Sequence, residues 1–288
     1  MGDPREAMAR ARQAAHELGL HPKKRLGQHF LVDHHQLERI ARACELQPDE
    51  YVVEIGPGWG FLTAYLAERA RGVLAVEVDQ ALAPVLEAAL AGYPNVRLLF
   101  ADVLRVDLED EVRRAFSLQG EVRFAVCANL PYYITTPIIF ALLERARGLQ
   151  SAVVMVQREV AERLVARPGS ADYGLLTVMV AYHARVEMVG RVPAACFWPR
   201  PEVESAVVRL VPYRQPPVRV EDEQRFRRLV RTAFQRRRKT MLNIVAAAFE
   251  VDKARSAACL QRAGIDAQRR PETLSLEEFA RVADCCAP

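Results

Sequence analysis

Five short apolar runs recur between residues 51 and 157, and their spacing constrains the fold more than any other feature of the chain. YVVEI (51–55), GVLAVEV (72–78), VRLLF (96–100), VRFAVCA (122–128) and SAVVMVQ (151–157) each read as a strand apolar on both faces. Helical stretches separate them, as at Phe61 to Ala70 and at about Ala81 to Ala91. Strands that must be covered on both sides, alternating with helices, form a mostly parallel sheet between two helical layers. The expected architecture is a doubly wound α/β fold.

Residues 5 to 18 predict a helix, followed by the basic stretch HPKKRLGQHF. Asp33 suits the N-cap of a helix from His34 to about Leu46, with Pro48 as its stop. After Gln157 the pattern changes: a helix over Arg158 to Ala166, a turn at RPGS (167–170), and two late strands in RVEMVG and ESAVVRLVP (204–212) around PAACFWPRPEV. YRQPP (213–217) reads as a linker. Beyond it helices are expected at about 222–235, 240–249, 252–262 and 275–284, with Gly264 where the third ends. The reading is a domain over 1–212 and a small all-helical domain over 213–288.

The chain is 51% hydrophobic and 26% charged, which excludes a disordered polymer. No run approaches the roughly 18 apolar residues of a membrane span. The opening MGDPREAMARARQAAHELG is charged throughout, unlike a secretory leader, so a cytoplasmic protein is expected. Cys44, Cys127, Cys196 and Cys259 are isolated and Cys285 and Cys286 adjacent, without metal-ligand spacing; reduced thiols used as small hydrophobes, and no metal, are expected. Charge is uneven. Residues 191–288 carry 19 Lys and Arg against 12 Asp and Glu, a net +7, which leaves −3 for the first 190 of the total +4. RFRRLVRTAFQRRRKT (225–240) holds eight basic residues and no acid. Such a one-sided field points to a polyanion, nucleic acid first.

VEIGPGWGF sets Gly56, Gly58 and Gly60 directly after the first strand, where the missing Cβ atoms let a ligand approach the backbone. A dinucleotide fingerprint would need glycine at Phe61. Glu54 before the turn gives instead E-x-G-x-G-x-G, the form associated with S-adenosyl-L-methionine (SAM). Glu77 ends the second strand and is placed to face ribose hydroxyls; Asp102 follows the third and could accept from an adenine amino group. Three ligand-facing features on three successive strand ends point to an adenosyl site.

The fourth strand runs into Asn129-Leu130-Pro131-Tyr132, of the N-[LI]-P-[YF] form found in methyltransferases that act on exocyclic amines. An adenine N6 lone pair is delocalised into the ring and is a poor nucleophile. Acceptors on its two N–H groups, assigned to the Asn129 side chain and the Pro131 carbonyl, localise that pair and offset the charge that develops on nitrogen. Tyr132 offers a ring on which an extracted base stacks. Catalysis would then be positioning and electrostatics, with no covalent intermediate.

KKRLGQHFLVD, VEIGPGWGFLT, NLPYYITTPIIF, FWPRPEVESAVVRL, AFQRRRKTMLN and GIDAQRRPETLSLEEFARVA together resemble the small-subunit ribosomal RNA adenine N6,N6-dimethyltransferases from about Lys23 to Val282. The resemblance implies a Rossmann-like SAM-methyltransferase sheet with a helical C-terminal domain. It implies dimethylation of two adjacent adenosines near the 3′ end of the small-subunit RNA, coupled to maturation of the immature subunit, by a monomer. It places Gln28, His29 and Leu31 over SAM, matches Gly56, Gly58, Glu77, Asp102 and Asn129 to cofactor positions, and makes Phe197 the second wall for the target base. Arg236, Arg237, Arg238 and Lys239 would grip RNA phosphates; were that cluster only a solvated face, the grip would be sought nearer Lys23, Lys24 and Arg25. His29, Trp59 and Ala128 depart from the residues commonest in the family, and none of the three removes a catalytic group. Two other functions stand beside this one: a large-subunit adenine methyltransferase of the antibiotic-resistance type, and an RNA-binding assembly factor with little catalysis. AFQRRRKTMLN and GIDAQRRPETLS favour the small-subunit family, and the intact tetrapeptide favours catalysis.

Overall fold

The computed structural model describes residues 2–23 and 26–286, so Lys24 and Arg25 lie outside the described residues. The elements in chain order are α1 (Pro4–Glu17), β1 (Phe30–Leu31), α2 (His34–Ala43), β2 (Tyr51–Ile55), α3 (Phe61–Ala67), β3 (Gly72–Glu77), α4 (Ala83–Leu90), β4 (Val96–Phe100), α5 (Leu108–Phe116), β5 (Phe124–Asn129), α6 (Thr135–Arg145), β6 (Leu149–Gln157), α7 (Arg158–Leu164), α8 (Leu175–His183), β7 (Ala184–Val192), β8 (Phe197–Trp198), β9 (Ser205–Pro212), α9 (Glu223–Gln235), α10 (Met241–Phe249), α11 (Lys253–Arg262) and α12 (Leu276–Cys285).

The five apolar runs are the five parallel strands of one seven-stranded sheet, ordered β4-β3-β2-β5-β6-β9-β7, with β9 antiparallel to β6. The side chains of β2, β3, β5 and β6 are buried on both faces almost throughout, which is why the sequence shows no alternation within them, whereas β4 at the sheet edge is half-buried with Arg97 exposed. From β2 the chain winds outward through β3 and β4, then returns to β5 beside β2 and winds the other way. Loops at the carboxyl ends of β2 and β5 therefore diverge and open a crevice, the standard ligand position of such sheets. The second sheet pairs β1 with β8, Phe30 opposite Trp198 and Leu31 opposite Phe197.

Two compact units result: residues 1–161 with 187–212, and 162–186 with 213–288. The domain expected to end at 212 thus gives up an inner segment to the helical unit. The reason is packing specific to that segment. The Tyr173 hydroxyl donates to the Leu274 carbonyl (2.8 Å), the Gly169 amide to Glu272 (2.7 Å), and the Tyr182 ring packs 5.0 Å from that of Phe226. Side-chain caps start three of the unit's helices: Asp222, Asp252 and Ser275 each accept from the backbone N–H three residues on. A further correction concerns the thiols. Cys259 and Cys286 are joined in a disulfide with Cα atoms 5.3 Å apart, a separation that suits the bond, while the other four cysteines are free.

Candidate functional site

The crevice contains a cavity of about 300 Å³ in the first unit, at the low end of the range for small-molecule sites. The glycine turn forms its floor. Gly56, Gly58 and Gly60 have φ of +70°, +59° and +78°, where side chains are strained. At Gly58 a Cβ would also come within 2.8 Å of the Phe30 ring. The turn thus needs glycine for its conformation and for the close approach of β1.

Glu77 holds this turn in place. One carboxylate oxygen accepts from the Gly58 amide (3.1 Å), the other from the Asp79 amide (2.9 Å). Burial pushes its pKa up, and these backbone donors offset part of the rise. Beneath the turn Glu54 is 2% exposed and lines the cavity, its Oε2 without a hydrogen-bond partner. Burial raises its pKa to about 8; the nearby Thr63 hydroxyl, outside hydrogen-bonding geometry, offsets part of this, and the Glu77 charge adds to it.

A strap from the N-terminal segment closes one rim. The Gln28 side chain accepts from the Lys23 amide (2.8 Å) and donates to Asp79 (3.1 Å), and Lys23 Nζ pairs with the other Asp79 oxygen at 2.7 Å. Burial alone would raise the Asp79 pKa, but the bonds from Lys23 and Gln28 outweigh it and hold the carboxyl below its ordinary value. Asp79 is absent from the sequence-derived set. Its signal was the spacing E-V-D at the end of β3, and its partners lie 56 and 51 residues away in sequence.

At the opposite strand end, Asn129 Nδ2 donates to the His29 carbonyl at 3.0 Å. A carbonyl can only accept, so this bond fixes the amide orientation and leaves Oδ1 as an acceptor. His29 Nδ1 in turn donates to the Pro199 carbonyl (2.8 Å). Tyr132 lines the cavity with its hydroxyl held by Ser205 Oγ at 2.8 Å, and the His29 ring lies 6.2 Å from its ring at an interplanar angle of 21°.

The structure brings Gln28, His29, Leu31, Gly56, Gly58, Glu77, Asp102, Asn129, Pro131 and Tyr132 to this one cavity. Asp102 is half-exposed there; it caps a short turn by accepting from Leu104 (3.0 Å) and lies 3.4 Å from Arg105. Two sequence assignments need correcting. The Pro131 carbonyl already accepts from the Ile134 amide and the Thr135 hydroxyl, each at 3.1 Å, which occupies both lone pairs. The neighbouring Leu130 carbonyl accepts no hydrogen bond from the described residues and is the backbone acceptor left beside Asn129. Phe197, the expected second wall, is 4% exposed and does not line the cavity, because its ring packs in the hydrophobic core of the first unit. Tyr133, which the motifs did not assign, lines it, as does Trp59 of the glycine turn.

Arg236, Arg237, Arg238 and Lys239 occupy the turn between α9 and α10 in the second unit, all exposed. Arg237 donates to the Ala171 carbonyl (2.8 Å), and none of the four has a carboxylate partner among the described residues. No helix among the described residues is long and apolar enough to cross a membrane.

Comparison with known proteins agrees with this geometry. A family model described as ribosomal RNA adenine dimethylase matches residues 19–287. The chain is 49% identical over 271 residues to "Ribosomal RNA small subunit methyltransferase A" of Moorella thermoacetica, covering 93% of each, and 44% identical over 278 residues to the protein of that name from a Geobacillus species, covering 96% and 95%. Among solved structures, the 23S rRNA methyltransferase ErmE superposes with TM-score 0.68 at 31% identity, covering 89% of this chain and 98% of that one. A dimethyladenosine transferase from Plasmodium falciparum superposes with TM-score 0.74 at 26% identity, covering 88% and 95%. With its motifs gathered at one crevice and its family match spanning nearly its whole length, this chain belongs to the ribosomal RNA adenine dimethylase family.

Proposed function

We propose that this protein is a SAM-dependent methyltransferase that dimethylates the N6 amino groups of two adjacent adenosines near the 3′ end of small-subunit (16S) ribosomal RNA. It acts on the immature small subunit as a monomer, in the course of subunit maturation. The observation that carries the reading is the amide of Asn129, oriented by the His29 carbonyl so that Oδ1 is left as an acceptor. The next residue, Leu130, lines the same cavity, and its carbonyl accepts no hydrogen bond from the described residues. Two acceptors on consecutive residues suit an exocyclic NH₂. Each takes one N–H, and together they localise the nitrogen lone pair and stabilise the charge that grows there. Tyr132, its hydroxyl tied to Ser205, holds a ring face still for the base.

The cavity fits the cofactor by the chemistry of its walls. Glu77 and Asp102 are acceptors for ribose and adenine groups, the glycine turn admits close approach, and the partnerless Glu54 oxygen leaves a buried polar atom at the cavity wall for a ligand to satisfy. Gln28, His29 and Leu31 cover the site from the strap. SAM, when bound, supplies an electrophilic methyl on a sulfonium. The exposed quartet Arg236–Lys239 supplies phosphate contacts. The small subunit is preferred over the large because relatives named for it are 43–49% identical, against 31% for the 23S enzyme.

The test is transfer of labelled methyl from SAM to immature small subunits, large subunits and free RNA, with mapping of the modified nucleotides. Label in two adjacent N6,N6-dimethyladenosines of the small subunit is expected. Label in the large subunit alone, or none in any substrate, would refute the reading.

A further inference from the structure

Beside the cavity runs an aromatic wall for which the transfer chemistry has no use. Trp59 lines the cavity, and its ring lies 4.6 Å from that of Phe30 and 5.4 Å from that of Trp198. Trp198 is fixed by its backbone. It sits opposite Phe30 in the β1–β8 ladder, and the next residue, Pro199, accepts from His29, whose own carbonyl orients Asn129. Strand alternation turns Phe197 inward and Trp198 outward. Trp198 is 45% exposed although its backbone and one ring face are held.

A single exposed apolar ring is ordinary on a protein surface. This one continues a ring wall into the cavity, and two residues on stands Arg200, exposed and without a carboxylate partner among the described residues. Of the carboxylates that follow, Glu204 pairs with Arg158 at 2.8 Å and Glu202 is exposed. A rigid π face with a free guanidinium close by in sequence is the combination that binds single-stranded nucleic acid, the ring taking a base and the cation a phosphate. Entry of one adenosine into the cavity unstacks the nucleotide next to it, and that neighbour then needs a new face to lie on.

We propose that Trp198, backed by Trp59, is a stacking platform for the nucleobase flanking the adenosine in the cavity, with Arg200 contacting a phosphate of the same segment. The proposal rests on the reading of the chain as an rRNA methyltransferase. It assigns Trp198 to substrate positioning, separate from the cofactor and from the amine acceptors.

The experiment compares Trp198→Ala, Trp198→Leu and Trp198→Phe for KM on immature small subunits, kcat, SAM affinity and melting temperature. Loss of the ring should raise KM about tenfold in the Ala and Leu variants, the effect expected for one stacked base. SAM affinity should be unchanged, and the Phe variant should stay within about threefold of wild type. A role in packing alone would be rescued by Leu as well as by Phe. A second readout uses the chain's two tryptophans: in Trp59→Phe, Trp198 is the sole indole, and RNA carrying the small-subunit 3′ segment should quench it where inorganic polyphosphate does not. Unchanged KM in Trp198→Ala, equal rescue by Leu, or bound RNA without quenching would overturn the platform. Absence of methyl transfer by the wild-type protein would refute the functional reading instead, and the quenching arm would still decide the platform.

Discussion

Replacing Glu54 by Gln should make the protein more stable at alkaline pH, by an amount the structure allows to be worked out. The carboxyl is 2% exposed and holds its proton to about pH 8, against an ordinary value of 4.5. In the unfolded chain it ionises near that ordinary value. Stability linked to this group is therefore complete below about pH 4.5, falls as pH rises, and levels off once the folded carboxyl ionises near 8. At about 1.36 kcal/mol per tenfold in proton affinity, the full loss is on the order of 5 kcal/mol, of which about 4 accrues between pH 5 and 8. Gln matches the protonated carboxyl in size and neutrality and removes the dependence. Guanidinium unfolding followed by tryptophan fluorescence reports on the relevant unit, since Trp59 and Trp198 both belong to it with Glu54. The variant-minus-wild-type difference in unfolding free energy should shift toward the variant by several kcal/mol from pH 5 to pH 9. Parallel pH profiles for the two proteins would refute the argument.

Glu77→Ala should weaken SAM binding about ten- to a hundredfold and also lower stability, because it orphans the Gly58 and Asp79 amides; unchanged affinity by calorimetry in a folded variant counts against the assignment. Asn129→Ala should lower the single-turnover methyl-transfer rate about a hundredfold with little change in RNA affinity, and full activity would exclude the acceptor role. Changing Arg236, Arg237, Arg238 and Lys239 together to Gln should weaken subunit binding and flatten its salt dependence, with SAM affinity intact. The slope of log K against log salt should fall by up to about 0.7–0.9 for each phosphate no longer neutralised, and an identical slope would mean a solvated surface.

The strands were legible in the sequence because each is a short apolar run, buried on both faces in all but the edge strand β4: Tyr51–Ile55 and Val96–Phe100 fall where the apolar runs lie, and the other three are displaced at an end by one or two residues. Helix starts were legible for a local reason as well, since Asp33 caps through the Gln36 amide three residues on. The glycine turn and Asn129-Leu130-Pro131-Tyr132 could be read because each compresses a ligand-facing geometry into consecutive residues. Other features depend on residues far apart in the chain. LLTVMVAYH (175–183) is apolar throughout, so its pattern suits a strand as well as a helix; it becomes α8 and joins the helical unit, where Tyr182 meets Phe226. Cys259 meets Cys286 only once the last helix has folded back, 27 residues on. The Pro131 carbonyl could be judged unavailable only when the Thr135 hydroxyl was seen to occupy it, and Asp79 became part of the site only through Lys23 and Gln28. That Phe197 faces the core while Trp198 faces solvent follows from a two-residue ladder between segments about 167 positions apart. Periodicity and caps are written in neighbouring residues, whereas the direction of a side chain from a short edge ladder is set by the partner strand.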